Sequence, residues 1–322
     1  MSRGGRALLT LIGLATLLVA SLALGLALGS AEQPSRMIVL EIRLPRVLLG
    51  ACVGAGLAVA GALLQALLRN PLADPYVLGI SGGGALGGVA ALALGPLLAA
   101  AGELAVPGFA FLGALAATAL LYSIAGSVHR APAQSLLLTG VVFNAFASSL
   151  IVLVMTLADL SRLRGIFLWL IGSVRLVDLW AVGIVALLLA PGLVIGLYHA
   201  HALNLLSQGD ESARHLGVEV EAVRRRILVA CALMIGAAVA FSGLIGFVGL
   251  IVPHLLRLAI GPDHRLLIPS AALLGAAFLV TADTLARTLL APNELPVGAI
   301  TALLGGPLFL LLLRRELAGA ST

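Results

Sequence analysis

The sequence of 322 residues contains no lysine, and all 19 of its basic residues are arginine. A P-loop needs a lysine beside its serine or threonine to contact the phosphates of a nucleotide. This chain therefore cannot form that kind of nucleotide site. If its function consumes ATP, another polypeptide must bind and hydrolyse the nucleotide.

Charged residues of both signs are also scarce. They make up 10% of the chain, hydrophobic residues make up 61%, and the mean hydropathy is +1.15. A soluble domain carries about a quarter charged residues, so the composition predicts an all-α integral membrane protein. The length accommodates about ten helices of about 20 residues each, which predicts a single transmembrane domain over residues 1–322.

The two cysteines, Cys52 and Cys231, both lie in apolar runs. They are interpreted as packing residues and not as a disulfide or a metal pair. His199 and His201 do not share a helical face, so no metal site is expected there. The net charge of +5 does not require a nucleic-acid partner, because cytoplasmic loops of membrane proteins are also rich in arginine.

Apolar runs bounded by charges, proline or glycine predict the membrane spans. The run 227–260 is too long for one span, because a helix of that length would measure about 51 Å against a hydrocarbon core of about 30 Å. Gly243, Gly246 and Pro253 favour a break near 243–247, which brings the prediction to ten spans. The runs are 7–28, 47–68, 76–101, 107–128, 135–158, 178–200, 227–260, 266–286 and 296–313. The first is longer than a signal-peptide core and is interpreted as an uncleaved span.

The distribution of arginine predicts that both termini are cytoplasmic. With this orientation the inner side collects most of the basic residues, as the positive-inside rule requires. The inner arginines are Arg3, Arg6, Arg69, Arg130, Arg214, Arg224, Arg225, Arg226, Arg257, Arg265, Arg314 and Arg315. The outer ones are Arg36, Arg43, Arg46, Arg162, Arg164, Arg175 and Arg287, which are too many to be ignored.

The longest polar interruption, residues 201–226, lies on the predicted inner side. Asp210 and Glu211 suit the first turn of a short helix after Gly209, and Gly217 can end it. A second short helix over 219–226 would lead into the next span. Two helices lying on the membrane surface suggest a docking platform for another protein, although an ordinary amphipathic connector explains the pattern equally well.

Two further segments carry candidate functional residues. The stretch 41–46 places arginines on the outer face, and Pro45 disfavours helix at Leu44 but suits the first turn of the second span. These arginines are either interfacial snorkelling residues or a cationic patch. Asp283 is the clearest intramembrane acid, and Arg287 four residues later can pair with it. On the inner face, the run 70–75 with its two prolines predicts a turn or part of a gate.

Five stretches in order resemble the permeases of type II ABC importers of the FecCD type, which take up cobalamin, haem and ferric siderophores. They are RLPR (43–46), GAGLAVAGALLQALLRNPLADPYVLGISGGGALG (54–87), GDESARHLGV (209–218), GLIGFVGLIVPHLLRLAIGPDHRLLIP (243–269) and ADTLARTLLAPNELPVGAITALLGGPLFLLLL (282–313). The resemblance covers nearly the whole chain. It implies a ten-span subunit of a homodimer in the bacterial inner membrane, with two ATPase subunits below it and a periplasmic binding protein above it.

The resemblance also implies roles for particular residues. It assigns binding-protein docking to Arg43, Arg46 and Arg287, and a cytoplasmic gate to Asn70 and Leu72. A second gate position falls on Ala133 and Gln134, which depart from the Thr-Ser of the cobalamin permease. Coupling to the ATPase falls on Gly209, Asp210, Glu211, Ala213, Arg214 and Gly217. The chain itself is expected to hold no cofactor or metal and to catalyse no reaction, since ATP and Mg²⁺ belong to the ATPase.

The alternative function is an ion-coupled secondary transporter. Such a protein needs inverted repeats and ionisable residues at the midplane, and neither is clear in the sequence. A membrane enzyme is a third possibility, but no catalytic constellation is apparent. The sequence does not identify the transported chelate.

Overall fold

A computed structural model describes residues 3–29, 35–76, 78–95, 97–126, 133–174 and 177–319, and the regular elements of these ranges are all helices. In chain order the α-helices are α1 (Arg3–Ala27), α2 (Leu44–Leu67), α3 (Ile80–Ala93), α4 (Ala105–Gly126), α5 (Ala133–Leu157), α6 (Leu160–Leu170), α7 (Leu179–Tyr198), α8 (Ala200–Leu206), α9 (Asp210–His215), α10 (Val220–Ser242), α11 (Val248–Ile260), α12 (His264–Thr288) and α13 (Val297–Gly319). A π-helical turn (Ile38–Arg43) precedes α2, and a 3-10 helix (Ala99–Leu104) precedes α4. Of the predicted outer and inner arginines, Arg175 and Arg130 lie outside the described residues.

Seven helices in the described ranges are long and apolar enough to cross a membrane. They are α1, α2 with the turn before it, α4, α5, α7, α10 and α12. The apolar helices α3, α11 and α13 have shorter apolar stretches, over Ile80–Ala93, Val248–Ile260 and Val297–Leu311. The prediction of a helical membrane protein is thus confirmed, and α3 is much shorter than the apolar run 76–101 that predicted it.

The long apolar run does break where its glycines lie. α10 ends at Ser242 and α11 begins at Val248, so the predicted break near 243–247 is confirmed. Gly243 has φ 67° and Phe247 has φ 68°, a left-handed conformation that stops a right-handed helix. At the end of α10, the carbonyl oxygen of Ser242 accepts a bond from the backbone N–H of Ser173 at 2.8 Å.

α2 and α10 form the interior of the bundle, whereas α1 and α5 are mostly exposed. Close backbone approach explains the enclosure of α2. A Cβ on Gly61 would lie 1.9 Å from the carbonyl oxygen of Gly249, and one on Gly54 would lie 2.2 Å from that of Gly275. Small residues let α2 touch α11 and α12 at this distance, as expected for helices packed in lipid.

The start of α2 differs from the prediction. Pro45 lies in the first turn of α2 as expected, but Leu44 is helical and a π-helical turn, Ile38–Arg43, runs into α2 without a break. The wider turn explains this, because a change from π to α hydrogen bonding leaves one backbone position without a partner, where the missing N–H of proline costs little.

The predicted surface helix over 219–226 is also corrected, because these residues form the beginning of α10. The second short helix is instead α8, which continues from the end of α7. Hydrophobic side chains explain both results. Ala200, Leu203 and Leu206 of α8 are buried, and Val220 and Val223 anchor the first turn of α10.

Candidate functional site

An ion-pair cluster joins α2 to α12 at the predicted outer end. Asp283 lies between two arginines: Nη2 of Arg46 is 2.9 Å from its Oδ1, and Nε of Arg287 is 3.0 Å from its Oδ2. The side chains of Asp283 and Arg287 are 3% and 4% exposed, and that of Arg46 is 12% exposed. The predicted pair between Asp283 and Arg287 is therefore present, and a third partner from α2 completes the neutralisation of the carboxylate.

The same cluster holds the end of α1. Arg43 Nη1 donates to the carbonyl oxygens of Leu26 and Ala27 at 2.9 and 2.7 Å, and Arg287 Nη2 donates to that of Gly25 at 3.0 Å. Carbonyls in the last turn of a helix lack intrahelical partners and carry a partial negative charge. The two buried arginines thus cap α1 and fix it against α2 and α12.

Glu294 is the exposed member of the outer cluster. It follows α12 and accepts a bond from Arg46 Nη1 at 2.8 Å, with 42% of its side chain exposed. A cavity of about 220 Å³ lies here, lined by Arg43, Arg46, Arg287 and Glu294 among others. Three guanidinium groups face two carboxylates, so the cluster keeps an excess of positive charge. Docking at these arginines stays a prediction. The pair of Arg287 with Asp283 was predicted from the sequence, but the internal partners of Arg43 and Arg46 were not.

The loop after α2, residues 68–76, contains the first predicted gate. Asn70 Oδ1 accepts from the backbone N–H of Leu72 at 2.9 Å, and Asp74 Oδ1 accepts from that of Tyr76 at 2.7 Å. Two such Asx turns give the loop a fixed course. A third contact comes from α5, where Asn144 Nδ2 donates to the carbonyl oxygen of Tyr76.

Asp74 lies outside the spanning helices but is enclosed by the loop. Burial raises the pKa of its carboxyl to about 6, although the bond from Tyr76 N–H acts in the opposite direction. The other predicted gate residues, Ala133 and Gln134, are the first two of α5, and their side chains lie outside the described part of the chain. The gate role of both segments stays a prediction.

The predicted coupling motif forms the short helix α9. Gly209 precedes it with φ 128° and Gly217 follows it with φ 82°, conformations that suit glycine and disfavour other residues. Ala213 is fully buried on the side of α9 that packs against the protein, while the side chains of Glu211 and Arg214 are exposed. The sequence thus correctly predicted both ends of this helix, and the motif places two charged side chains on its accessible face.

Ion pairs hold α9 on its neighbours. Asp210 Oδ2 is 3.0 Å from Arg224 Nη2, and its Oδ1 is 3.6 Å from Arg69 Nη2. Glu221 Oε1 is 2.8 Å from Arg224 Nη1 and 3.7 Å from Arg214 Nη2. These charges alternate in sign through the cluster. The sequence placed Asp210 in the first turn of α9 but did not predict its partners. Arg224 lies 14 residues later in α10, and Arg69 lies in the loop after α2.

A second contact fixes α8 to the beginning of α12. Asn204 Nδ2 donates to Asp263 Oδ1 at 2.7 Å, while Asn204 Oδ1 accepts from the backbone N–H of His264 at 2.9 Å. The bond from Asn204 lowers the pKa of the Asp263 carboxyl. Asp263 also accepts from Arg265 N–H at 3.0 Å and so caps α12.

Helix ends that were predicted to lie on the same side of the membrane are in contact in the structure. The cluster around Asp283 gathers ends predicted to be outer, and the contacts of Asp210 and Asn204 gather ends predicted to be inner. Among the described residues, no three His, Cys, Asp or Glu side chains are grouped as metal ligands would be. The described residues thus form a helical bundle with an ionic cluster at its predicted outer end and another at its predicted inner end.

Comparisons with known proteins give matches over most of the chain. The FecCD transport family matches residues 7–315. The hemin transport system permease HmuU of Yersinia pestis is 47% identical over 281 residues, 86% of this chain and 83% of that protein. The vitamin B12 import system permease BtuC of Vibrio cholerae is 42% identical over 290 residues, 90% of this chain and 86% of that protein.

A solved structure also resembles this fold. It is described as an inward-facing conformation of a metal-chelate type ABC transporter. Its TM-score is 0.84 at 32% identity, and the match covers 96% of this chain and 99% of the other.

Proposed function

Because the chain belongs to the FecCD transport family, we propose that it is the permease subunit of a binding-protein-dependent ABC importer in the bacterial inner membrane. The observation that carries the proposal is the family match, which extends over residues 7–315 and includes helices α2–α12 in full. The transported substrate is a metal chelate: haem, a ferric siderophore or cobalamin. Relatives named for hemin and for vitamin B12 support this class.

The proposed topology has ten spans with both termini inside. Seven spans are the long apolar helices, and α3, α11 and α13 supply the other three. The described 14 residues of α3 extend about 21 Å, less than the hydrocarbon thickness of about 30 Å. The non-helical segment before α11, residues 243–247, is buried or half-buried throughout, which supports its lying at membrane depth.

A second copy of the chain completes the translocation path in this proposal. α5 packs on α3 and α4 and leaves its other face uncovered. That face carries Phe146, which is 58% exposed, and also the exposed hydroxyl side chains of Ser148 and Ser149. Hydroxyl groups on an otherwise apolar face suit a path at a dimer axis better than a surface that contacts only lipid tails.

Two ATPase subunits bind at the inner side and contact α9, in which Glu211 and Arg214 are exposed. ATP and Mg²⁺ are held by those subunits, in keeping with the absence of lysine from this chain. The ATPases change the conformation of the permease by binding its states with different affinity.

The function is tested by reconstitution in proteoliposomes with a purified ATPase and a loaded binding protein. Uptake that requires both partners and ATP supports the proposal. Uptake driven by a proton or sodium gradient, with no ATPase added, would instead establish an ion-coupled secondary transporter. Haem, a ferric siderophore and cobalamin are compared as substrates, each with the binding protein that retains it.

A periplasmic binding protein docks at the outer cluster in this proposal, where Arg46 is the most accessible of the three predicted arginines. Glu294 competes for Arg46, so we expect Glu294→Gln to strengthen binding of an acidic partner by about two- to fivefold. Charge reversal of Arg43 is a poor test, because it would place a carboxylate against the carbonyl oxygens that end α1.

The matched control is Glu41→Gln, which removes an exposed carboxylate from the neighbouring π-helical turn. Affinity is measured by surface plasmon resonance at two salt concentrations. If both variants change the affinity equally, Glu294 acts only through the general surface charge. If neither changes it, the outer cluster is not the docking surface.

A further inference from the structure

Arg69 has a backbone conformation that arginine rarely adopts. It follows the last turn of α2 with φ 48°, and Phe247 is the other described non-glycine residue with positive φ. Asn70 N–H bonds the carbonyl oxygen of Gln65 at 3.1 Å, which closes the helix in the manner of a C-terminal cap. Glycine is the usual residue at this position because it adopts a left-handed conformation without strain.

An arginine at a position that favours glycine points to a role for its side chain. Nη2 of Arg69 lies 3.6 Å from Oδ1 of Asp210, in the first turn of α9. The other oxygen of the same carboxylate pairs with Arg224 of α10 at 3.0 Å. Asp210 therefore joins the loop after α2 to the start of α10.

The two arms of this junction differ in strength. α9 is held to α10 by the enclosed pair of Asp210 with Arg224, and the exposed pair of Arg214 with Glu221 adds a second, weaker contact. The side chain of Arg224 is 6% exposed, whereas those of Arg69 and Asp210 are 41% and 28% exposed. Exposed pairs are weaker than enclosed ones, so α9 stays with α10, and the pair with Arg69 is weaker than the pair with Arg224.

We propose that Arg69 is a positioning residue that transmits displacement of α9 to the loop containing Asn70 and Leu72. When α9 and α10 move together, the pair with Asp210 draws the loop after them. The inference rests on the proposed function, since it takes α9 as the contact of the ATPase. It adds a specific link between that contact and the loop, carried by one side chain.

The variant Arg69→Gly separates this role from a structural one. Glycine relieves the backbone strain and removes the side chain, so the variant is expected to fold and to unfold at the same temperature as the wild type or higher. Loss of function in this variant then reflects the missing contact. Arg69→Lys keeps the charge, and Asp210→Asn removes the charge of the partner at almost the same volume.

The measurement is the ratio of chelate imported to ATP hydrolysed by the full transporter in proteoliposomes. We expect Arg69→Gly to lower this ratio at least fivefold while hydrolysis stays within about twofold of the wild type. Asp210→Asn should lower the same ratio at least fivefold. Arg69→Lys should restore most of the ratio, with a greater sensitivity to salt. Arg6→Ala, which removes an exposed arginine from α1, is the control and should not change the ratio.

A wild-type ratio in Arg69→Gly overturns the inference, and so does an Arg69→Gly protein that fails to fold. A parallel loss of hydrolysis and uptake, which leaves the ratio unchanged, also overturns it. Failure of the wild-type protein to import with the ATPase and the binding protein would instead refute the proposed function. The two failures are therefore distinguishable.

Discussion

The substitution Asp283→Asn should destabilise the protein strongly, because Asp283 is the shared partner of two enclosed arginines. Its carboxylate is about 3 Å from the guanidinium groups of both Arg46 and Arg287, and all three side chains are largely excluded from solvent. Removing one partner of a buried ionic group costs about 3–5 kcal/mol, since the remaining charges stay desolvated. Asparagine keeps an oxygen acceptor, so we expect a loss of about 3 kcal/mol.

The two cysteines provide a direct assay of unfolding. Both are free thiols: Cys231 is fully buried between helices, and Cys52 is half-buried. A maleimide that becomes fluorescent on reaction reports their exposure as detergent-solubilised protein is heated. At about 2 °C for each kcal/mol, Asp283→Asn should lower the midpoint by about 6 °C.

Two controls decide whether the ion cluster is responsible. Glu294→Gln removes the exposed carboxylate from Arg46 and should lower the midpoint by less than about 2 °C, as surface pairs contribute at most about 1 kcal/mol. The double variant Arg46→Met/Asp283→Asn should be more stable than the sum of the two single effects predicts. Strict additivity, or equal shifts for Asp283→Asn and Glu294→Gln, would refute the reasoning.

Two further predictions concern the interior of α2 and the loop after it. Gly61→Ala should abolish stable folding or lower the midpoint by about 4–6 °C, roughly 2–3 kcal/mol, because its Cβ would meet the carbonyl oxygen of Gly249. Gly13→Ala, whose Cβ meets nothing within 4 Å, is the control in the same thermal assay. The pKa of Asp74 is raised from 3.8 to about 6, so the folded protein binds its proton more readily and loses stability as pH rises from about 4 to about 6. Asp74→Asn should remove this loss and stabilise the protein by about 2–3 kcal/mol above pH 6, and a variant with the same pH profile as the wild type would contradict the assignment.

Local features were predictable from the sequence where a short stretch determines the outcome. Gly209 and Gly217 predicted both ends of α9, and the glycines after Ser242 predicted the break in the long apolar run. The pair of Asp283 with Arg287 follows from helical spacing alone. Each of these depends on residues within one or two turns of one another.

Features that depend on packing between distant segments were not predictable. Arg43 and Arg287 were expected on an outer surface, but the position of α1 covers both and turns them into caps of its last carbonyls. Nothing near Arg43 in sequence indicates that contact. The helical conformation of Leu44 likewise arises from the π-helical turn before it, which proline propensity does not foresee.

The two ionic clusters lie at opposite ends of α2, and their difference constrains how the protein can open. Arg46 and Arg69 are separated by about 35 Å along the helix axis. At the outer end, enclosed ion pairs and capped carbonyls bind α1, α2 and α12 into one unit. Separating these helices would break the ionic contacts, at a cost of several kcal/mol.

At the inner end, a change in the backbone beside Arg69 suffices to move the loop after α2, while the exposed pair of Arg69 with Asp210 keeps the loop attached to α9. The close contact of Gly61 with Gly249 keeps α2 itself from following. We therefore expect the outer side to open only as a rigid-body motion of whole subunits, and the inner side to open by movement of this loop. Distances between spin labels on the loop and on α12 should change with nucleotide, whereas distances between the outer ends of α2 and α12 should remain constant.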